Sequence, residues 1–278
     1  MDPGHNGGNA GAPSIINRLI WNGRESETCD TTGTQTDSGY TEAQFNWNVA
    51  RYLTADLRAE GATVVLTRTS NTGVGPCVTQ RAAIGNVAHA NAGVSIHADG
   101  GPANGRGFAI LEPVDDATNA AVVGPSAILG ADLRSAIATG TGEPVSSYDG
   151  VNGIQPRNDL AGINLSTIPK VFVECANMRN AADASLVTSP AWQAKAARAI
   201  ATGLTHFLNG RQGLFPLLRR ARTEVGLGDL PGRRSAVAAG QHRRQELRRH
   251  CGLERIHLRW RDDRPGQYAE RFQNGVRT

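Results

Sequence analysis

Apolar residues recur along this chain with two alternating periods, and the alternation lays out a fold. Within residues 41–60, Phe45, Val49, Leu53 and Leu57 fall four apart and form one stripe, the mark of a helix with a buried face; Gly61 ends it. Thr63-Val-Val-Leu-Thr67 is a β-branched run that reads as a short buried strand. Residues 78–90 read as a helix, Gly93-Val-Ser-Ile-His97 and Gly107-Phe-Ala-Ile-Leu111 as strands, and 119–139 as an Ala/Leu-rich helix broken by Gly and Pro. Lys170-Val-Phe-Val-Glu174 is the last clear strand, and 190–208 the last clear helix, with Pro190 in its first turn. Alternating helices and strands predict an α/β domain with a mostly parallel twisted sheet flanked by helices. Two long segments, 21–40 and 140–169, carry mainly Gly, Thr, Ser and Asn, and loops of that length usually serve function or lack order.

The 278 residues are 39% hydrophobic, enough for one sizeable domain. The longest uninterrupted apolar stretches fall far short of the ~20 residues that span a bilayer. Charge divides the chain in two. Residues 211–278 hold 16 Arg and no Lys against 7 acids, net +9, while 1–210 hold 13 basic and 18 acidic residues, net −5. A mildly acidic body argues against a nucleic-acid-binding domain. The domain is expected to span 1–210, and 211–278 to be either a solvated basic tail or a stretch that encodes no selected domain. Four cysteines (Cys29, Cys77, Cys175 and Cys251) form no Cys-x-x-Cys pair, which excludes a zinc ribbon or thioredoxin-like motif. Their connectivity is not readable from spacing.

Candidate chemistry sits where apolar strands end. His97 closes Val94-Ser-Ile-His, Glu174 closes Val171-Phe-Val-Glu, His5 lies in the turn-rich Asp2-Pro-Gly-His-Asn-Gly-Gly, and Glu42 opens the first long helix. α/β sheets place their sites at such strand ends. A hydrolytic zinc takes three protein ligands and keeps one position open; His5, Glu42 and His97 would supply the three. Glu174 would be the carboxylate that moves the proton. Each residue also has a plainer reading. His5 alone suits a surface turn, Glu42 an ordinary first-turn acid favoured by the helix dipole, and His97 a structural strand end. Glu174 is hardest to read plainly, since burying an unpaired carboxylate at the end of an apolar run is costly. From spacing alone, a metal hydrolase is the leading reading among several.

Four segments in the same order, Asp2-Pro-Gly-His5-Asn-Gly, Gly39-Tyr-Thr-Glu42, Ser95-Ile-His97-Ala-Asp99 and Val173-Glu174-Cys-Ala-Asn177-Met, resemble the zinc-dependent N-acetylmuramoyl-L-alanine amidases over roughly residues 2–210. The nearest likeness is to the stand-alone enzymes of mycobacteria and relatives. The resemblance implies one zinc ion on His5, Glu42 and His97, Glu174 as the catalytic base, and peptidoglycan or muropeptides as substrate. It implies action in the periplasm or the extracellular cell wall; the chain is expected to be a monomer that spans no membrane and binds no nucleic acid. Thr67, Arg68 and Arg81 match family positions of structural character. A disulfide staples the corresponding loop in those relatives, which implies a Cys29–Cys77 bond, with Cys175 a buried strand thiol and Cys251 a stray. Arg157, Asn164 and Asn177 are candidate glycan or peptide contacts on the long loops; the alternative for each is loop hydrogen bonding.

The likeness also raises an expectation of loss. The family has an apolar strand immediately before the Asp-Pro-Gly-His motif, whereas here Met1 precedes Asp2, so the first sheet strand is expected to be truncated and His5 to be frayed. No export signal is visible. Two readings therefore stay open beside the amidase: a zinc carboxypeptidase-like hydrolase, and a peptidoglycan-binding relic that has lost catalysis. An anionic-polymer binder working through the Arg-rich segment is a third, weaker one.

Overall fold

A computed structural model of the protein describes residues 1–116 and 118–223, with side chains through residue 210. In chain order the elements are β1 (Asp2–Pro3), a 3-10 turn (Asn9–Gly11), α1 (Pro13–Ile16), β2 (Leu19–Trp21), β3 (Ser26–Thr28), α2 (Glu42–Ala59), α3 (Val78–Val87) and β4 (Gly93–Asp99). There follow β5 (Ala109–Pro113), α4 (Ala120–Thr141), β6 (Ile154–Arg157), α5 (Ala161–Asn164), β7 (Lys170–Asn177), α6 (Ala181–Val187) and α7 (Pro190–Thr223). The sheet runs β1-β4-β7-β5-β6; every neighbouring pair is parallel except β5 with β7. This is the mostly parallel α/β sheet that the alternating pattern predicts.

The two-residue periodicity of β4 and β7 gives the sheet unlike faces. Val94, Ile96 and Ala98 of β4 and Val171, Val173 and Cys175 of β7 join one large core with Phe45, Val49 and Leu53 of α2, Leu129 and Leu133 of α4, and Ile200 of α7. Full burial of each large side chain there contributes about 1.5–3 kcal/mol. The opposite face carries Ser95, His97, Phe172 and Glu174, with a small apolar cluster of Ala109, Leu111, Ile163 and Phe172 beneath α5. Helices that cover one face therefore leave the polar residues of the other free for chemistry. α4 is 22 residues long, enough by length and composition to cross a bilayer. Its buried Leu129, Leu133 and Ile137 instead turn inward to the shared core.

One expectation is met and three are corrected. The first strand is short, as expected: Asp2 and Pro3 pair in parallel with Ser95 and Ile96. Side chains pin it, since Asp2 is 4% exposed and bonded to Lys170, Arg81 and Thr67, so His5 is not frayed. Residues 63–67 are not a strand. Met1 donates to Val65 O and Thr67 N–H donates to Met1 O, one rung of pairing and no more, and the run stays half-exposed. The two long segments hold short elements without a clear apolar period: the β2–β3 hairpin in the first, β6 and α5 in the second. The Arg-rich segment enters the description only as the end of α7; residues 224–278, Cys251 included, lie outside the described residues.

Candidate metal centre and base

The site assembles at the carboxyl ends of β1 and β4, as expected for an open α/β sheet. His5 follows β1 in a left-handed conformation (φ +56°), which costs an ordinary residue roughly 1–2 kcal/mol. The surrounding bonds over-determine it: Arg81 donates to His5 O at 3.0 Å and to Pro3 O at 2.8 Å, and Arg68 donates to Pro3 O and Gly4 O. Glu42 occupies the first turn of α2, whose N-cap Thr41 accepts from Gln44 N–H, the local signal that starts the helix there. Glu42 reaches over the sheet edge, with Oε1 2.9 Å from His97 Nδ1 and 3.2 Å from His5 Nε2, while Oε2 accepts from Thr34 N–H at 3.0 Å. One ligand-type atom from each of His5, Glu42 and His97 falls within 4.8 Å of the others.

This donor set, two imidazole nitrogens and a carboxylate oxygen, suits zinc. Glycines leave room for the three side chains to converge. A Cβ on Gly4 would lie 2.1 Å from His97 Cε1, and one on Gly33, itself at φ +69°, would lie 2.5 Å from Glu42 Oε2 and 2.7 Å from His5 Cδ2. The His97 ring stacks on Phe172 with centroids 4.9 Å apart, which fixes its plane.

The electrostatics ask for positive charge. Burial works against a charged His5, but Glu42 and Asp30 outweigh it and raise the ring to about 10. Burial likewise opposes the Glu42 carboxylate, and the two histidines hold it well below the usual range. Glu174 behaves oppositely: burial first, then the charges of Glu42 and Asp99, push it well above an ordinary carboxylate. It stands across the ladder from His97, in direct register, and its buried Oε2 has no hydrogen-bond partner among the described residues. After His97 the ladder slips, so that Asp99 pairs with Asn177. Bulges of this kind often re-aim side chains beside active sites.

The long-loop candidates divide. Arg157 is 30% exposed and grips Asp159 at 2.6–2.7 Å; that bond chiefly, with burial opposing and Asp159, Asp149 and Glu174 adding charge, raises its pKa. It therefore lies within electrostatic reach of Glu174. Asn164 and Asn177 are 1% and 0% exposed. Asn164 donates to Asn158 O, and Asn177 donates to Pro102 O and Gly105 O. The structure gives these two amides the loop-holding role, because their donors are turned inward onto backbone carbonyls. Cys29 and Cys77 form the disulfide, and Cys175 is a buried free thiol.

Two neighbours escaped the sequence reading. Asp30 Oδ1 lies 3.3 Å from His5 Nδ1, and Tyr148 donates its hydroxyl to Asp99 Oδ2 at 2.8 Å. The only available signal for Asp30 was a carboxylate beside a loop cysteine. A cleft of about 770 Å³ between Met1, residues 61–65 and Lys170 contains none of His5, Glu42, His97 or Glu174.

A model of the N-acetylmuramoyl-L-alanine amidase family matches residues 1–206. An N-acetylmuramoyl-L-alanine amidase of Mycobacterium tuberculosis is 40% identical over 209 residues, which is 75% of this chain and 85% of that protein. The solved amidase Ami1 of Mycobacterium smegmatis superposes with a TM-score of 0.70 at 40% identity, covering 75% of this chain and 95% of that one. The apo form of Ami1 from Mycobacterium abscessus gives 0.70 and 40%, covering 74% and 96%. The match takes in every element that builds the site, and the chain belongs to the N-acetylmuramoyl-L-alanine amidase family.

Proposed function

We propose that the protein hydrolyses the amide joining N-acetylmuramic acid to L-alanine in peptidoglycan, with one zinc ion held by His5, Glu42 and His97, and Glu174 carrying the proton. Family membership supports the activity. One observation carries the roles: three ligand-type side chains converge within 4.8 Å beside a carboxylate oxygen that is buried and unpartnered. When bound, zinc supplies Lewis acidity toward the scissile carbonyl and toward water.

The chain's own part is positioning and proton transfer. Glu174 takes a proton from the attacking water and returns it to the L-alanine nitrogen as the C–N bond breaks. Burial, with the charges of Glu42 and Asp99, raises its affinity for the proton that the water gives up. Phe172 and Gly4 confine the His97 ring, and the Arg68 and Arg81 bonds keep His5 in place. Residues 21–40 and 143–169 form the groove walls, Arg157 offers a cation to the substrate, and Asn164 and Asn177 shape the wall behind it. Residues 1–210 serve as the catalytic domain. One chain carries every residue named, so a monomer suffices, and the place of action is the cell wall.

Glu174→Gln tests the roles. The variant is expected to bind zinc as the wild type does and to release stem peptide from muropeptides 10²–10⁴-fold more slowly. Turnover near wild type would place the base elsewhere. Release of a terminal amino acid instead of whole stem peptide would favour a carboxypeptidase.

A further inference from the structure

Each candidate ligand histidine turns one nitrogen toward Glu42 and the other toward the protein. His5 Nδ1 faces Asp30 Oδ1 at 3.3 Å, with Thr31 O and Thr31 Oγ1 each at 3.2 Å. Asp30 Oδ1 also accepts from Thr31 N–H at 2.8 Å, so it places these competing acceptors too. His97 Nε2 faces Ser95 Oγ at 3.1 Å, and Ser95 donates onward to Asp2, with Oδ2 at 3.3 Å. Two buried carboxylates thus stand behind the two rings, Asp30 directly and Asp2 through a hydroxyl.

One guanidinium joins them. Arg81 is 3% exposed and all five of its N–H donors have acceptors. Nη1 donates to Asp2 Oδ1 at 3.0 Å and to Pro3 O at 2.8 Å; Nη2 donates to Asp30 Oδ2 at 3.1 Å and to His5 O at 3.0 Å; Nε donates to Pro76 O at 3.0 Å. The fork is planar and rigid, so the separation of Asp2 and Asp30 is set by the guanidinium itself.

We infer that Arg81 is a positioning residue for the metal centre, holding both histidines in ligating orientation by clamping Asp30 behind His5 and Asp2–Ser95 behind His97. The inference rests on the zinc reading above and deepens it. Two separate paths, one to each ring, set this role apart from a general structural one. Groups that hold a ligand's far nitrogen typically account for 10–100-fold in metal affinity.

The test is zinc affinity, measured by competition with a chromophoric chelator on wild type, Asp30→Asn, Ser95→Ala and Arg81→Lys, each first shown to be folded by circular dichroism. Asp30→Asn and Ser95→Ala each release one ring and are expected to weaken zinc about 10–100-fold. Arg81→Lys keeps the charge but loses the fork, and should weaken zinc by more than either. Ser95→Ala added to Arg81→Lys should then weaken it little further, because the path through Ser95 is already slack. If Arg81→Lys does not fold, the two milder variants decide alone. Wild-type affinity in a folded Arg81→Lys, or in both milder variants, overturns the inference. A wild-type chain that binds no zinc overturns the metal reading itself, and the two failures are thereby distinct.

Discussion

Asp2 lies between Lys170 Nζ at 2.9 Å and Arg81 Nη1 at 3.0 Å, with the Thr67 hydroxyl at 2.7 Å. Burial alone would raise its pKa, but the two cations and these bonds hold it well below the usual range. A carboxylate depressed by folding adds stability above its unfolded pKa of about 4, and that stability is lost as pH falls through the lower folded value. Asp2→Asn should therefore lower the urea midpoint clearly at pH 7 and by less at pH 3; an equal loss at both would show that the charge is not what matters. Residue by residue, the sequence disclosed the carboxylate that ended an apolar strand and the histidine at the end of its neighbour, because an ionisable group is conspicuous there. Spacing alone left His5, Glu42 and also His97 with plain alternatives, and the ordered likeness to the amidases singled them out. Asp30 and Tyr148 lie in loops without a period, and only the folded chain shows what they touch.

At the scale of elements, the Cys29–Cys77 bond joins the end of the β2–β3 hairpin region to the N-cap of α3, across 48 residues. It ties the loop that carries Asp30 to the start of the helix that carries Arg81. A loop of that length corresponds to about 4 kcal/mol in the chain-entropy model, with 2–4 kcal/mol the usual observed range. The reduced protein should unfold at a correspondingly lower urea concentration, and an unchanged midpoint would mean that hydrogen bonds alone fix the loop. The long elements were legible because their periods are long: α2 shows four turns of one stripe, and β4 and β7 alternate strongly. Short pieces were not. Ile154–Arg157 pairs along β5 without any apolar alternation of its own. Residues 63–67 have strand composition, yet among the described residues their backbone bonds along that edge go to Met1 alone. Composition showed the propensity of that run but not the number of partners it would find.

For the molecule as a whole, the sheet brings residues 5, 42, 97 and 174 to one place by setting β1, β4 and β7 side by side and letting the start of α2 overhang their ends. The large core lies on the opposite face, so the chemical face is free to carry buried charge. Ordered motifs made the family legible in sequence, since four short segments far apart are unlikely companions without a common fold. Their convergence in space was an expectation there and is a distance here. The most direct test of the account is the zinc content of the purified chain together with muropeptide digestion, with and without a chelator. The account predicts one zinc per chain and release of stem peptide that stops on chelation and returns with added zinc. Release that persists in a protein stripped of metal would contradict it.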